Sequence, residues 1–400
     1  MTTQRPTPRA VAWGREHVGL LLTLAVILLL VFYPTYVEDL RATPVIGTYM
    51  PGVGSMVVML VFTMMAVGLN IVVGYAGLLD LGYVAFYAAG AYMAAWFASL
   101  QFEQVTLHFG SVGIRRDLPG IHLSIWLVLI MAGIFTMAVG ILIGLPTLRL
   151  RGDYLAIVTL GFGEIIPQFV RNADNLFGFD LTHGTFGISP IDSPGFGETL
   201  NDTVGLPANF QQASNSQELF FWTALLLLLF TVFCSARLRD SRLGRAWVAI
   251  REDETAAAAM GVPLMRTKTW SYALGAFFGG IAGAFYASFK SGAFPADFYF
   301  NISIFLLCMV ILGGMGSIWG VVVGGMILGY LNVEGLAIIG SELRESTGVD
   351  FEPTKYQFGI YGVIIVLMML FRPVGLIPER RHKRELEEGV HDDSLYGAQH

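Results

Sequence analysis

Long apolar runs alternate with short polar segments along most of this chain, and the runs have the length that crosses a bilayer. Ten of them fall near residues 18–34, 56–73, 84–100, 121–145, 153–170, 218–236, 269–289, 302–315, 317–335 and 357–371. Each predicts a membrane helix, so the expected fold is an all-α, polytopic helix bundle of about ten spans. Several runs are too short or too glycine-broken to be simple spanning helices. The segment 302–315 would rise only about 20 Å against a hydrocarbon core of about 30 Å. It meets the next run through Gly313-Gly314-Met315-Gly316, and Gly74-Tyr75-Ala76-Gly77 and Gly161-Phe162-Gly163 predict similar breaks in the first half. Broken or re-entrant helices at membrane depth are tolerated where they line a cavity or are covered by protein. That pattern points to a transporter.

With the N-terminus inside, the alternation of sides gives spans two to five one orientation and spans seven to ten the opposite one. Two inverted-topology repeats are therefore expected, although GYAGLLDLG matches GGMGSIWG mainly in its glycines. The same arrangement puts 17 Lys and Arg in the cytosol and 7 outside, which the positive-inside rule favours. The predicted organisation is a cytosolic tail over 1–17, a transmembrane permease domain over 18–378 and a cytosolic tail over 379–400. An extracytoplasmic loop spans 171–217 and a cytosolic loop spans 237–268. Both termini of this multi-pass membrane protein are expected in the cytosol. Arg5, Arg9 and Arg15 precede the first run as in a signal peptide, but no small-x-small cleavage site follows it, so it reads as a retained span.

Composition agrees with immersion in lipid. Apolar residues make up 54% of the 400, charged residues 14%, and mean hydropathy is +0.63. The 47 glycines suit close helix packing. Cys234 and Cys308 both lie in apolar runs and the seven histidines are scattered, so neither a disulfide framework nor a metal site is expected. No Gly-Lys dipeptide occurs, which excludes a P-loop, and nothing resembles a GxSxG elbow or an HExxH helix. No catalytic residue is assigned and no nucleic-acid partner is indicated. Any ATP that drives transport, with its Mg, must be bound and hydrolysed by another polypeptide.

One polar stretch stands out between two apolar runs, GRAWVAIREDETAAAAMGVP over 244–263. Asp253 is a good N-cap, Glu254 puts negative charge in the first turn, Ala256 to Ala259 favour helix, and Gly261 then Pro263 end it. So short a helix is ordered only by packing on something else. It reads as a docking handle or as a solvated linker. Asp80 in GYAGLLDLGY and Glu164 in LGFGEIIPQF are the acids nearest the apolar interior. Asp80 either caps the next helix or lines a pathway. Glu164 either faces a pathway or is a structural acid beside a kink at Pro167. Gly77, Gly163 and Gly314, at the predicted breaks, complete the candidate pathway set. Few basic residues lie within the runs, so a neutral or zwitterionic solute fits better than a charge relay. The outer loop from Asn172 to Gln217 could contact a solute-binding protein or cap the bundle.

Five collinear stretches resemble LivM-type permease subunits of branched-chain amino acid ABC importers. They are GLNIVVGYAGLLDLGYVAFYAAGAY (68–92), LRLRGDYLAIVTLGFGEI (148–165), GRAWVAIREDETAAAAMG (244–261), ILGGMGSIWG (311–320) and FRPVGLIP (371–378). The resemblance implies a heterodimer with a second, LivH-type permease, two ABC ATPase subunits, and an extracytoplasmic solute-binding protein that delivers Leu, Ile, Val or another neutral amino acid. It implies that Arg251, Glu252, Asp253, Glu254, Ala256, Ala257 and Gly261 belong to the loop that couples to the ATPase. Such permeases often carry a GGPxGI-like stretch after the fifth span, where this chain has His183-Gly184-Thr185-Phe186-Gly187-Ile188. The departure leaves urea or a short amide open as the solute. An ion-coupled secondary transporter is the reading that the broken helices and the two acids would support without the resemblance.

Overall fold

The computed structural model describes residues 26–43, 47–111, 118–150, 152–176, 178–196, 217–348 and 352–377. The tails 1–17 and 379–400, the start of the first predicted span, and residues 177 and 197–216 of the outer loop fall outside them. The chain divides into two units, 1–53 and 54–400. In the first, residues 26–31 are helical and α1 covers Tyr33–Arg41, with Tyr33 donating to the Pro51 carbonyl.

The second unit is a helix bundle. Its elements are α2 (Val53–Asn70), α3 (Val84–Phe97), α4 (Ile125–Thr147), α5 (Asp153–Asn172), α6 (Gln217–Arg239), α7 (Arg242–Glu252) and α8 (Glu254–Ala259). They continue as α9 (Leu264–Phe289), α10 (Asn301–Gly313), α11 (Ile318–Tyr330), α12 (Leu336–Thr347) and α13 (Gln357–Phe371). Among the described residues seven helices are long and apolar enough to cross a membrane, and α3 and α10 are shorter apolar helices. The protein is therefore a helical, polytopic membrane protein.

α2 and α9 form the core. They are apolar all round and almost wholly buried, as expected of helices surrounded by other helices. Gly275, Gly279 and Gly283 recur every fourth residue on α9, with Gly280 beside them. A Cβ at Gly283 would meet the Tyr87 carbonyl oxygen at 2.0 Å, and one at Gly280 would meet Thr136 Oγ1 at 2.0 Å. Without those side chains α9 closes on α3 and α4, so dispersion contacts do the work that water exclusion does in soluble cores.

Four sequence expectations change. Gly161-Phe162-Gly163 does not break a helix; α5 runs unbroken through it, because a helical glycine costs only about 1 kcal/mol relative to alanine and the adjoining residues supply every turn. The ninth run is longer than predicted. α11 passes through a π-helical turn, Leu331–Gly335, into α12, a helical stretch of 29 residues. The fourth run begins as a strand. β1 (Ala98–Ser99), β2 (Thr106–Phe109) and β3 (Gly120–Leu123) form a small sheet in the order β1-β3-β2, antiparallel on one side and parallel on the other. Finally, the handle holds two helices, α7 and α8. The breaks at 74–77 and 313–316 do occur: a π-helical turn, Ile71–Tyr75, ends α2, and Gly77, Gly314 and Gly316 all have positive φ.

Candidate functional site

Asp253 separates the two handle helices. Its Oδ1 accepts from the backbone N–H of Thr255 (2.7 Å) and Ala256 (3.0 Å) and from the Thr255 hydroxyl. The Thr255 hydroxyl and then these amides hold its carboxyl below the usual carboxylate value. At the other end Gly261 adopts φ +84 and Val262 N–H bonds the Ala257 carbonyl, closing the helix in a glycine C-cap.

Three anchors fix the handle to the bundle. Trp247, fully buried, donates its indole N–H to the Thr267 carbonyl at 2.8 Å. Lys268, also buried, pairs with Glu254 at 2.8 Å and ties α8 to α9. Arg251 Nη1 donates to the Gly74 carbonyl at 2.5 Å, and its stem lies against Gly77, where a Cβ would sit 2.8 Å from Arg251 Cγ. The guanidinium thus caps the free carbonyls at the C-terminal end of α2, where a cation is favoured.

These anchors sort the seven residues expected to form the coupling loop. Arg251, Glu254 and Ala257 face the bundle, while Glu252, Asp253, Ala256 and Gly261 face outward. Ala258, Ala259 and Met260 share the outward surface, and Met260 is 85% exposed. Ala257 is buried, so enlarging it would disturb the handle's own packing.

The segment 76–83, held by Arg251, meets most of the bundle. Leu81 N–H donates to Thr159 Oγ1 on α5, Tyr83 donates to the Gly275 carbonyl on α9, and the Val84 N–H donates to Ser303 Oγ on α10. Asp80 is buried at its centre. One carboxylate oxygen accepts from Gly82 N–H, while the other makes no hydrogen bond among the described residues. Asp80 does not cap α3: the N-cap is Tyr83, which has no side-chain cap, and the bond from Gly82 N–H closes an Asx turn ahead of the helix, while Ser303 accepts from the first helical N–H at Val84.

Gly163 and Gly314 are packing positions. Gly163 lies against the backbone of Leu81 and Gly82. Gly314 underlies the returning chain, whose Leu376 and Ile377 N–H groups bond the Leu312 and Gly313 carbonyls. Asn70, at the end of α2, accepts from Gly316 N–H at 2.9 Å and joins the two glycine breaks. Glu164 is exposed on α5, on the side opposite Gly163, so it is not buried beside Pro167.

Sequence reasoning missed Asn70, Thr159, Trp247, Lys268 and Ser303. Lys268 and Asn70 carried a signal, as polar groups at the edges of apolar runs. Thr159 and Ser303 carried none, since hydroxyls inside membrane helices usually bond their own backbone.

At the opposite end of α9 a second polar group organises the sheet. His122 Nδ1 lies 3.0 Å from Asp192, and His108 stacks on His122 at 5.0 Å between centroids. The Asp192 N–H bonds the Ala98 carbonyl, and Ser288 donates to the Asp192 carbonyl. Burial pushes the Asp192 carboxyl up to about 6 although His122 opposes the shift. Among the described residues no group of three His, Cys, Asp or Glu could hold a metal ion.

A family model described as branched-chain amino acid transport system, permease component, matches residues 53–369. The high-affinity branched-chain amino acid transport system permease protein LivM of Escherichia coli is 36% identical over 344 residues, covering 83% of this chain and 71% of the relative. Its counterpart from Salmonella typhimurium is 36% identical over 343 residues, 82% and 71% of the two chains. The E. coli permease protein LivH is 27% identical over 176 residues, 44% of this chain and 51% of that one. No solved structure matches.

Proposed function

The chain belongs to the permease-component family of branched-chain amino acid transport systems, and on that premise we propose that it is the membrane subunit of an ATP-driven importer of Leu, Ile or Val. Separate ATPase subunits bind ATP and Mg and dock on the outward surface of α8. A LivH-type permease completes the membrane part, and an extracytoplasmic binding protein delivers the solute. Ten spans with inverted halves and both termini in the cytosol fit this reading, because the basic loops then share the handle's side.

The observation that carries the proposal is the clamp. α8 exposes a surface of small side chains and is tied to α9 through Glu254, while Trp247 and Arg251 on the adjoining α7 tie the handle to α9 and to Gly74. A force applied to α8 is passed to the end of α2 and, through 76–83, to α3, α5, α9 and α10. The handle itself has too few residues to fold alone. It moves as part of what it is anchored to.

The test is to replace outward-facing Ala256 and Ala259 by Trp in the assembled transporter. Uptake of leucine should be lost with the chain still in the membrane and ATPase binding weakened. Normal uptake by the double variant overturns the docking role. Competition with urea separates the amide reading. Uptake by this chain alone under an ion gradient would favour a secondary transporter.

A further inference from the structure

α5 presents two unlike faces. Leu155, Ala156, Thr159, Gly163, Pro167 and Val170 are buried against the bundle. On the other side Tyr154, Ile157, Glu164, Gln168 and Phe169 are exposed. A Cβ at Gly161, one turn before Glu164, would meet nothing within 4 Å.

Glu164 stands near the middle of α5, a helix long and apolar enough to cross a membrane. It lies eleven residues after Asp153 and eight before Asn172, or about 17 Å and about 12 Å along the helix. No basic residue occupies the positions three or four away, which are Leu160, Gly161, Pro167 and Gln168. Arg171 is two turns on and bonds Tyr299. Among the described residues Glu164 makes no ion pair or hydrogen bond. A carboxylate turned to lipid at this depth costs about 2.5–3.5 kcal/mol even on the lenient insertion scale. The face therefore borders water or polar protein.

We propose that this stripe lines the translocation path, closed on its far side by the second transmembrane subunit, and that Glu164 receives the ammonium group of the passing amino acid. Ile165 beside Glu164 and Ile157 two turns before it give the stripe exposed apolar surface suited to an aliphatic side chain, and Gly161 leaves room one turn away. The buried side of the same helix rests on Leu81 and Gly82 through Thr159 and Gly163. Movement of the segment held by Arg251 thereby reaches the face that carries Glu164. This inference rests on the amino-acid importer reading above.

The experiment uses the complete transporter, with Cys234 and Cys308 changed to Ser and Glu164 changed to Cys. A charged, membrane-impermeant thiol reagent should modify Glu164→Cys far faster than a control at Ile130→Cys on the exposed apolar face of α4, and leucine should slow the reaction. In the otherwise native chain, Glu164→Gln should lower leucine uptake about tenfold or more with the subunits still assembled, the loss of one charge-assisted contact. Glu164→Asp should retain part of it. Modification at the control rate, indifference to leucine, or wild-type uptake by Glu164→Gln overturns the proposal. So does dissociation of the complex in Glu164→Gln, which would assign the carboxylate to a basic group of the second subunit. If the wild-type transporter carries no leucine, the importer reading fails by itself, while the modification rate still decides whether the face is wet.

Discussion

Replacing Arg251 by Ala should uncouple ATP hydrolysis from transport without dismantling the protein. The side chain makes a 2.5 Å bond to the Gly74 carbonyl, and its stem fills the space beside Gly77. A hydrogen bond from a charged donor contributes about 1.5–3 kcal/mol. Taking about 2 kcal/mol, the clamped arrangement falls roughly thirtyfold relative to an unclamped one. α7 and α8 keep their other anchors at Trp247 and Glu254, so the handle stays folded. The assay is leucine uptake and ATP hydrolysis measured together in proteoliposomes that hold the full complex, beside thermal unfolding in detergent. Uptake per ATP should drop by an order of magnitude while the unfolding midpoint moves little. Arg251→Lys should recover part of the ratio, since a lysine retains the charge without the planar fork. A wild-type ratio in Arg251→Ala, with the subunits assembled, refutes the transmission route through Gly74 and Gly77.

Two further outcomes follow from the polar anchors. Removing one partner of a buried ion pair costs about 3–5 kcal/mol, and Lys268 is the more deeply buried of its pair, 4% against 27% exposed. Glu254→Ala should therefore loosen the handle more than Lys268→Met, read as faster hydrogen exchange over 252–262; the reverse order would contradict the burial argument. At the sheet, Asp192 has its carboxyl raised to about 6, so its contribution to local stability is fully present below its ordinary value near 4 and is lost as pH rises through 6. Amide protection over 188–196, taken relative to the intrinsic exchange rate at each pH, should fall between pH 5 and 7.5, and Asp192→Asn should flatten that dependence; a constant protection in the native chain would count against it.

Membrane immersion, most of the helices and the start of the handle helix α8 were legible because they depend on short-range properties. Apolar length, the Asp253 cap and the glycine at 261 act on their own neighbours in the chain. The roles of the glycines were not legible. Gly161 and Gly163 have the same spelling in a helix, yet one borders open space and the other lies in ordinary contact with the chain at Leu81 and Gly82. Nor could Ala257 be told from Ala256 within a run of four alanines; only α9 lying beneath decides which is buried.

Sequence alone thus determined that the chain spans a membrane and that a charged handle interrupts its apolar runs. Local composition suffices for these, since hydrocarbon accepts only hydrogen-bonded helices with apolar sides. Tertiary structure decided that Arg251 grips the broken end of α2, that Asp80 is enclosed, and that Glu164 looks outward. Each depends on partners 70 to 180 residues away in the chain or on the absence of one, such as Gly74 for Arg251 and Thr159 for Leu81, and no period or motif encodes which distant surface a residue will meet.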